Sequence, residues 1–289
     1  MIYIIIPVFN RWNFTRACLK SLVRQAYQHF TIIVVDHGST DNTELGIKAE
    51  FSEVIVMKGS NSLWWTGATN LGVKKALDLS VNDDDFILTL NNDLEVGDNY
   101  LDALIEAYNR YKPCFVGSVS VDILQPERVV YAGSYINTAK AKYSAPKERK
   151  LPYSTLVSAT DHVDSDMLTG RGTLIPKKAF LDLGLFDERN FPHYMADEDF
   201  AMRGKKADYR IIVASAAVVK SHVSDTGINF RNGNKSIKNF VNSLRSIKSA
   251  NNLKYRFNWA KKHGDFPYSY FLYDVFRIFG SYFKSILLK

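Results

Sequence analysis

The chain has 289 residues, 46% of them hydrophobic and 23% charged, which is ordinary globular material with enough length for a substantial core. Two cysteines, Cys18 and Cys114, exclude a disulfide framework and lack metal-type spacing, so a reducing, cytoplasmic compartment is expected. The formal charge of +7 is uneven: residues 229–289 hold twelve Lys/Arg against two Asp/Glu, a local +10, and residues 1–228 carry −3.

Residues 2–6 are apolar and predict a strand that Pro7 stops. A basic n-region with a following apolar segment is missing there, so no signal peptide is expected. Asn13 is expected to cap a helix running to residue 25. Residues 30–35 predict a second strand ending at Asp36, and the turn 37–43 feeds a helix. Residues 54–57 predict a strand, 67–79 a helix and 86–90 another strand. Strand and helix alternate, so residues 1–112 read as a parallel sheet with crossover helices. A Gly-rich dinucleotide fingerprint does not follow the first strand, which argues against a dehydrogenase. Strands are then expected within 114–121, 128–136 and 164–175, with an exposed loop at 140–152. Short helices are expected at 176–183 and 197–206, and strands at 210–214 and 217–220. No window of about eighteen apolar residues exists, so no membrane-spanning helix is expected.

Four polar clusters sit at the ends of these elements: Asp36 with Asp41, Asn91-Asn92-Asp93, Asp197-Glu198-Asp199, and His222. Ligands in open α/β sheets bind beyond the carboxyl ends of the strands. Carboxylates and an imidazole there suit Mg²⁺ or Mn²⁺ holding a nucleotide phosphate. Each cluster also has a plain structural reading. Asn91-Asn92-Asp93 caps the next helix, Asp36 caps its turn, and 197–199 places charge at a helix N-terminus.

In their order, the motifs resemble family 2 glycosyltransferases, inverting enzymes with a GT-A fold, over residues 1–225. The segment 4–10, with Pro7, Phe9 and Asn10, is similar to the family's opening strand and donor-contacting loop. Val34-Val35-Asp36-His37-Gly38-Ser39-Thr40-Asp41 is similar to its second-strand motif, and Gly67-Ala68-Thr69-Asn70-Leu71-Gly72 to its G-x-x-x-N-x-G helix. Asn91-Asn92-Asp93 stands at the D-x-D position, and Gly170-Arg171-Gly172-Thr173 matches the acceptor-side strand. The segment 197–203 resembles E-D-x-D-L-x-x-R, and His222 falls at the late metal-contacting His.

The resemblance implies an α/β, GT-A catalytic domain at 1–228, with a nucleotide-sugar half (1–112) and an acceptor half (113–228), plus a helical extension at 229–289. It implies donor contacts from Pro7, Phe9, Asn10, Asp36, Asp41, Gly67, Asn70, Asn91 and Asn92. Asp36 would accept the pyrimidine N3–H of a UDP- or dTDP-sugar. Asp93 and His222 would hold Mn²⁺ or Mg²⁺. Asp197 would be the general base, with Glu198 and Asp199 as the neighbouring carboxylates. Two departures from the pattern stand out: Asn91 replaces the first D-x-D carboxylate, and Ala196 replaces the Glu of the E-D pair.

Trp64 and Trp65 lie outside the minimal motif. One is assigned to core packing and the other, Trp65, to stacking on a base or sugar. Apolar residues recur at helical spacing from 271 to 287, with Arg277, Lys284 and Lys289 as basic members. Three readings of this tail stand: docking on a membrane surface, a helix closing the catalytic domain, and a homodimer contact. No nucleic-acid motif accompanies the charge. The expected activity is sugar transfer to a lipid-linked or surface glycan at the inner face of the membrane. The other readings are an inactive sugar-nucleotide-binding scaffold and a nucleotidylyltransferase, the latter opposed by Pro7-Val8-Phe9-Asn10-Arg11 where a Gly-rich loop belongs.

Overall fold

The computed structural model describes residues 1–222 and 236–287. The expected boundary between 228 and 229, and Lys289 of the basic stripe, lie outside the described residues. The chain begins β1 (Ile2–Val8), α1 (Trp12–Leu22), β2 (Phe30–Asp36), α2 (Thr43–Glu50), β3 (Ile55–Lys58), α3 (Trp64–Leu79), β4 (Phe86–Thr89), β5 (Leu94–Val96) and α4 (Tyr100–Tyr111). It continues with β6 (Cys114–Asp122), β7 (Gln125–Tyr131), β8 (Tyr135–Asn137), β9 (Lys142–Ser144), α5 (Tyr153–Ala159), β10 (His162–Asp164), β11 (Thr173–Pro176), α6 (Lys177–Leu183), α7 (Ala196–Lys206) and β12 (Arg210–Ser221). Three helices follow: α8 (Ile237–Ser243), α9 (Leu253–His263) and α10 (Pro267–Leu287).

The main sheet runs β10-β12-β6-β11-β4-β1-β2-β3, with β5 paired to β12 and β7 to β6. The β3-β2-β1-β4 half is parallel, as the alternating pattern requires, and β11 is antiparallel to both β4 and β6. Every residue of β1 is buried, so it reads as an unbroken apolar run rather than an alternating one. Ile2, Ile4, Ile6 and Val8 pack with Leu19 and Leu22 of α1, Ile47 of α2 and Leu104 of α4. Tyr3 and Ile5 face the other layer, with Ala68 and Val73 of α3, Phe180 of α6, Phe200 of α7 and Trp259 of α9. Each fully buried isoleucine contributes roughly 1.5–3 kcal/mol relative to exposure.

Several local expectations are corrected. Pro7 does not stop β1 but pairs with Val35 inside it. Ile5 O accepts from Leu90 N on the β4 side, so Pro7, of the same parity, turns its missing N–H toward β4, whose ladder has ended at Ile5. Asn13 does not cap α1. Arg11 precedes the helix in the left-handed region, φ 68°, and Asp41 Oδ2 accepts from Trp12 N at 3.1 Å. The strand expected over 128–136 breaks at Gly133, φ 111°, into β7 and β8. The run expected over 164–175 is likewise two strands, β10 and β11, in different parts of the sheet. The loop expected over 140–152 contains β9, which pairs with β8. Its Tyr143 meets the Tyr270 hydroxyl of α10 at 3.0 Å, so the hairpin is anchored by residues far along the chain.

The C-terminal helices share the core of the main sheet. Trp259 and Tyr270 are fully buried in it, and Trp259 Nε1 donates to the Tyr270 hydroxyl at 3.0 Å.

Candidate active site

A cavity of about 520 Å³ opens beyond the carboxyl ends of β1 and β4. One wall carries Arg11, Trp65, Asn91 and Asp93, the other Tyr131, Gly170, Arg171, Asp197 and Glu198, and a third side comes from Arg256 and Arg277 of the C-terminal helices.

The first wall is built from three strand ends. Asn10 and Arg11 both adopt left-handed backbone, φ 59° and 68°. The Asn10 side chain accepts from Thr40 N at 2.8 Å, and its own N–H donates to Ser39 Oγ at 2.7 Å. This lock between the loops after β1 and β2 aims Arg11 at Asp93, with Nη1 3.9 Å from Oδ2. Trp65 Nε1 donates to Asn91 Oδ1 at 3.0 Å. A Cβ on Gly170 would run into the Trp65 ring, so the glycine makes room for it.

The second wall is the N-terminus of α7. Met195 enters it in the left-handed region, φ 73°. Asp197 Oδ2 accepts from Gly170 N at 2.7 Å, and Oδ1 from Glu198 N at 2.9 Å. Burial pushes the Asp197 carboxyl above the usual carboxylate range, although those two N–H groups and the charge of Arg171 pull it down. Burial and then the Asp197 charge push Glu198 up to about 7, with Arg256 acting in the opposite sense. His193 also lines the cavity. Burial, with the nearby His37 and Lys248, pushes its imidazole down to about 4, so it is neutral at pH 7.

Of the expected site residues, the cavity gathers Trp65, Asn91, Asp93, Asp197 and Glu198. Asp199 is a correction: its side chain is fully buried and turned from the cavity. It accepts from Arg203 Nε at 3.0 Å, from Lys262 Nζ at 3.0 Å and pairs with His263 Nε2 at 2.8 Å. Burial raises its carboxyl, but hydrogen bonds from His263 and Lys262 outweigh that and hold it below its ordinary value. Two residues separate Asp199 from Asp197, which is half a helical turn, so the two carboxylates leave opposite sides of α7.

The other expected donor contacts lie outside the lining of this cavity and have partners within the chain. Asn70 is buried and clamps the 186–188 segment through Phe186 N, Phe186 O and Glu188. Asn92 donates to Thr15 Oγ1 at 2.9 Å, and Asp41 accepts from Trp12 N and Thr43. Gly67 and Pro7 are buried in α3 and β1. Asp36 Oδ1 accepts from Gly38 N and Ser39 N at 3.1 and 2.8 Å, which closes the turn. Phe9 is exposed and stacks on His37, 5.5 Å between centroids.

His222 follows β12, and Asp93 precedes β5, which pairs antiparallel with it through Ser221 and Leu94. Both residues therefore stand at one end of that ladder. His222 Nε2 lies 3.3 Å from Glu95 Oε1, and its ring meets Phe14 edge-on at 4.8 Å. No three His, Cys, Asp or Glu side chains converge as a ready metal cage among the described residues.

Among the cavity residues to which the sequence assigned no role in the site are Arg11, Tyr131, Tyr143, Arg171, His193, Arg256 and Arg277. The only available signals were the Arg between the two glycines at 170–172 and the basic excess of the tail.

Comparison with known proteins places the chain in a family. The sequence model described as Glycosyl transferase family 2 matches residues 3–181, which includes both loops of the first wall and stops before α7. The N-acetylglucosaminyl-diphospho-decaprenol L-rhamnosyltransferase of Mycobacterium tuberculosis is 26% identical over 224 residues, 72% of each chain. Glycosyltransferase GlyA of Streptococcus pneumoniae is 28% identical over 113 residues, 38% of this chain and 15% of that one. A structure of GalNAc-T7 with UDP, GalNAc and Mn²⁺ aligns with TM-score 0.61 at 13% identity, over 76% of this chain and 43% of that one. The mannosyltransferase PcManGT of Pyrobaculum calidifontis, with GDP-Man and Mn²⁺, aligns with TM-score 0.58 at 13% identity, over 96% and 69%. With the family match spanning more than half its length and the GT-A fold around the cavity, the chain belongs to glycosyltransferase family 2 and is a glycosyltransferase.

Proposed function

We propose that this enzyme transfers a sugar from a UDP- or dTDP-sugar to a hydroxyl of a lipid-linked or surface glycan, inverting the anomeric centre. The observation that carries the reading is that Asp93 and Asp197 line the same cavity, one after β4 and the other at the start of α7. The acceptor oxygen attacks the anomeric carbon while the bond from that carbon to the phosphate oxygen breaks. The bonding pair leaves with the nucleoside diphosphate, and the hydroxyl proton passes to Asp197. Two backbone N–H groups fix the Asp197 carboxylate, and its raised proton affinity suits a base.

Asp93 and His222 would hold a divalent cation, and a carboxylate with an imidazole favours Mn²⁺ over Mg²⁺. The Glu95 carboxylate beside His222 orients the ring as carboxylates do for ligating histidines. Such an ion, when bound, would stabilise the charge of the departing diphosphate. Arg11, poised against Asp93, adds a fixed cation at the same place. Asp36 would accept the pyrimidine N3–H through Oδ2. The neighbours bound to UDP or GDP-Man with Mn²⁺ support a nucleotide-sugar donor with a divalent metal, and the lipid diphosphate acceptor in the mycobacterial relative's name supports a lipid-linked acceptor.

The acceptor also gives a role to α10. Its inward side carries Tyr270, Asp274, Ile278 and Tyr282. Its outward side is an exposed apolar stripe of Leu272, Phe276, Phe283 and Leu287, and Phe276 is 72% exposed. No helix among the described residues is long and apolar enough to cross a membrane. The stripe and the basic excess of the tail fit docking on an anionic membrane surface.

Thermal unfolding with UDP, dTDP, GDP and ADP, each with and without Mn²⁺, tests the donor site. A ligand at one hundred times its Kd stabilises the folded state by about 2.7 kcal/mol. A metal-dependent rise in Tm for UDP or dTDP alone is expected. A rise with none of the four would overturn the reading.

A further inference from the structure

The third side of the cavity is cationic in a way the donor chemistry does not use. Arg256 leaves α9 and Arg277 leaves α10, and both line the cavity beside Glu198. Their guanidinium carbons lie 6.0 and 4.7 Å from the centroid of the same Tyr143 ring. Both pair with Asp274, which is fully buried: Arg256 Nη1 is 3.3 Å from Oδ2, and Arg277 Nη2 pairs with Oδ1. Two cations share the one buried carboxylate of Asp274, and Glu198, which feels the Arg256 charge, is the acid beside them on the cavity side. The pair is held rigidly, because Tyr143 is tied to the Tyr270 hydroxyl and Tyr270 to Trp259. Guanidinium groups in fixed orientation match phosphate oxygens through two parallel N–H donors each. Arg11 and Asp93, where the donor diphosphate is placed above, belong to a different wall.

We propose that Arg256 and Arg277 bind a phosphate or diphosphate ester carried by the acceptor, so that the acceptor hydroxyl is presented to Asp197 from the side of the C-terminal helices. This rests on the reading of the cavity as a sugar-transfer site. It also explains why the tail belongs to the core: α9 and α10 would complete the acceptor half of the site. An acceptor whose anionic group sits at Arg277 leaves the cavity at α10, the helix whose outer face is apolar.

The test measures Kd on the full chain at fixed salt for geranyl diphosphate, geraniol, and UDP with Mn²⁺. Arg277→Gln is the main variant, since Arg277 is the more exposed of the two, with its side chain 42% accessible. Arg256→Lys keeps the charge opposite buried Asp274 and removes only the planar fork. Arg277→Gln is expected to weaken geranyl diphosphate about tenfold or more, the loss of a charge-assisted hydrogen bond. Arg256→Lys is expected to weaken it too, and UDP affinity is expected to stay within about twofold for both. Unchanged geranyl diphosphate binding in both variants would overturn the proposal, as would equal wild-type affinity for geraniol. An equal loss of UDP would overturn it as well, by giving the pair to the donor diphosphate. Arginine-dependent binding of geranyl diphosphate without any binding of UDP or dTDP would sink the donor reading and leave the anion site standing.

Discussion

At the scale of single residues, the proposed base Asp197 and its neighbour Glu198 carry the pH dependence. They are adjacent, both in the cavity, and both pushed upward, so they titrate as a coupled pair. A base works only when deprotonated. kcat/KM should therefore rise with pH through a limb displaced above that of an ordinary carboxylate near about 4, because burial raises the Asp197 carboxyl. Glu198→Gln removes the other titrating carboxyl of the pair, so a limb that belongs to both should move. A pH–rate profile of the variant checks this, and an unmoved limb would deny the coupling. Asp197→Asn should lower kcat by about 10²–10⁴ while Tm and the affinity for UDP stay close to wild type.

At the scale of elements, α7 separates two jobs on its two sides. The cavity side presents Asp197 and Glu198, and the core side buries Asp199 among Arg203, Lys262 and His263. Removing one member of a buried ion cluster leaves the others uncompensated, so Asp199→Asn should cost about 3–5 kcal/mol in urea unfolding. The sign with pH follows from the lowered folded-state value. The contribution of Asp199 is present above the ordinary Asp value of about 3.9 and is lost as pH falls through the folded one. The difference between wild type and Asp199→Asn should therefore shrink in acid. A constant difference across that range would mean that the cluster is held by packing rather than charge.

At the scale of the whole molecule, the C-terminal helices do two things with one amphipathic pattern. Their inner faces supply Trp259 and Tyr270 to the core and Arg256 and Arg277 to the cavity. The outer face of α10 stays apolar in the open. If that face lies on a membrane, the double change Leu272→Asp and Phe276→Asp should weaken binding to anionic vesicles at least tenfold, since each side chain loses roughly 1.5–3 kcal/mol of burial. Tm should hold, because both side chains point away from the core. Sedimentation with phosphatidylglycerol vesicles reads the effect, and unchanged binding would remove the membrane role.

The sequence alone determined what short windows encode. Apolar runs set β1, β2 and β4, polar tips marked the strand ends, and the ordered motifs led to the family and the GT-A fold that the comparisons bear out. The location of Asp93 and Asp197 followed from the same patterns, and the structure places both in one cavity. What only the tertiary structure decided depends on groups far apart in the chain. Asp199 meets His263 across 64 residues, and Tyr143 meets Tyr270 across 127. Three neighbouring carboxylates at 197–199 look alike in sequence, and only the layer packed against α7 turns two toward the cavity and buries the third. The charge of the tail was visible as a count, but a count carries no direction. Asp274 and the Tyr143 ring, brought together by folding, turn two of those charges inward.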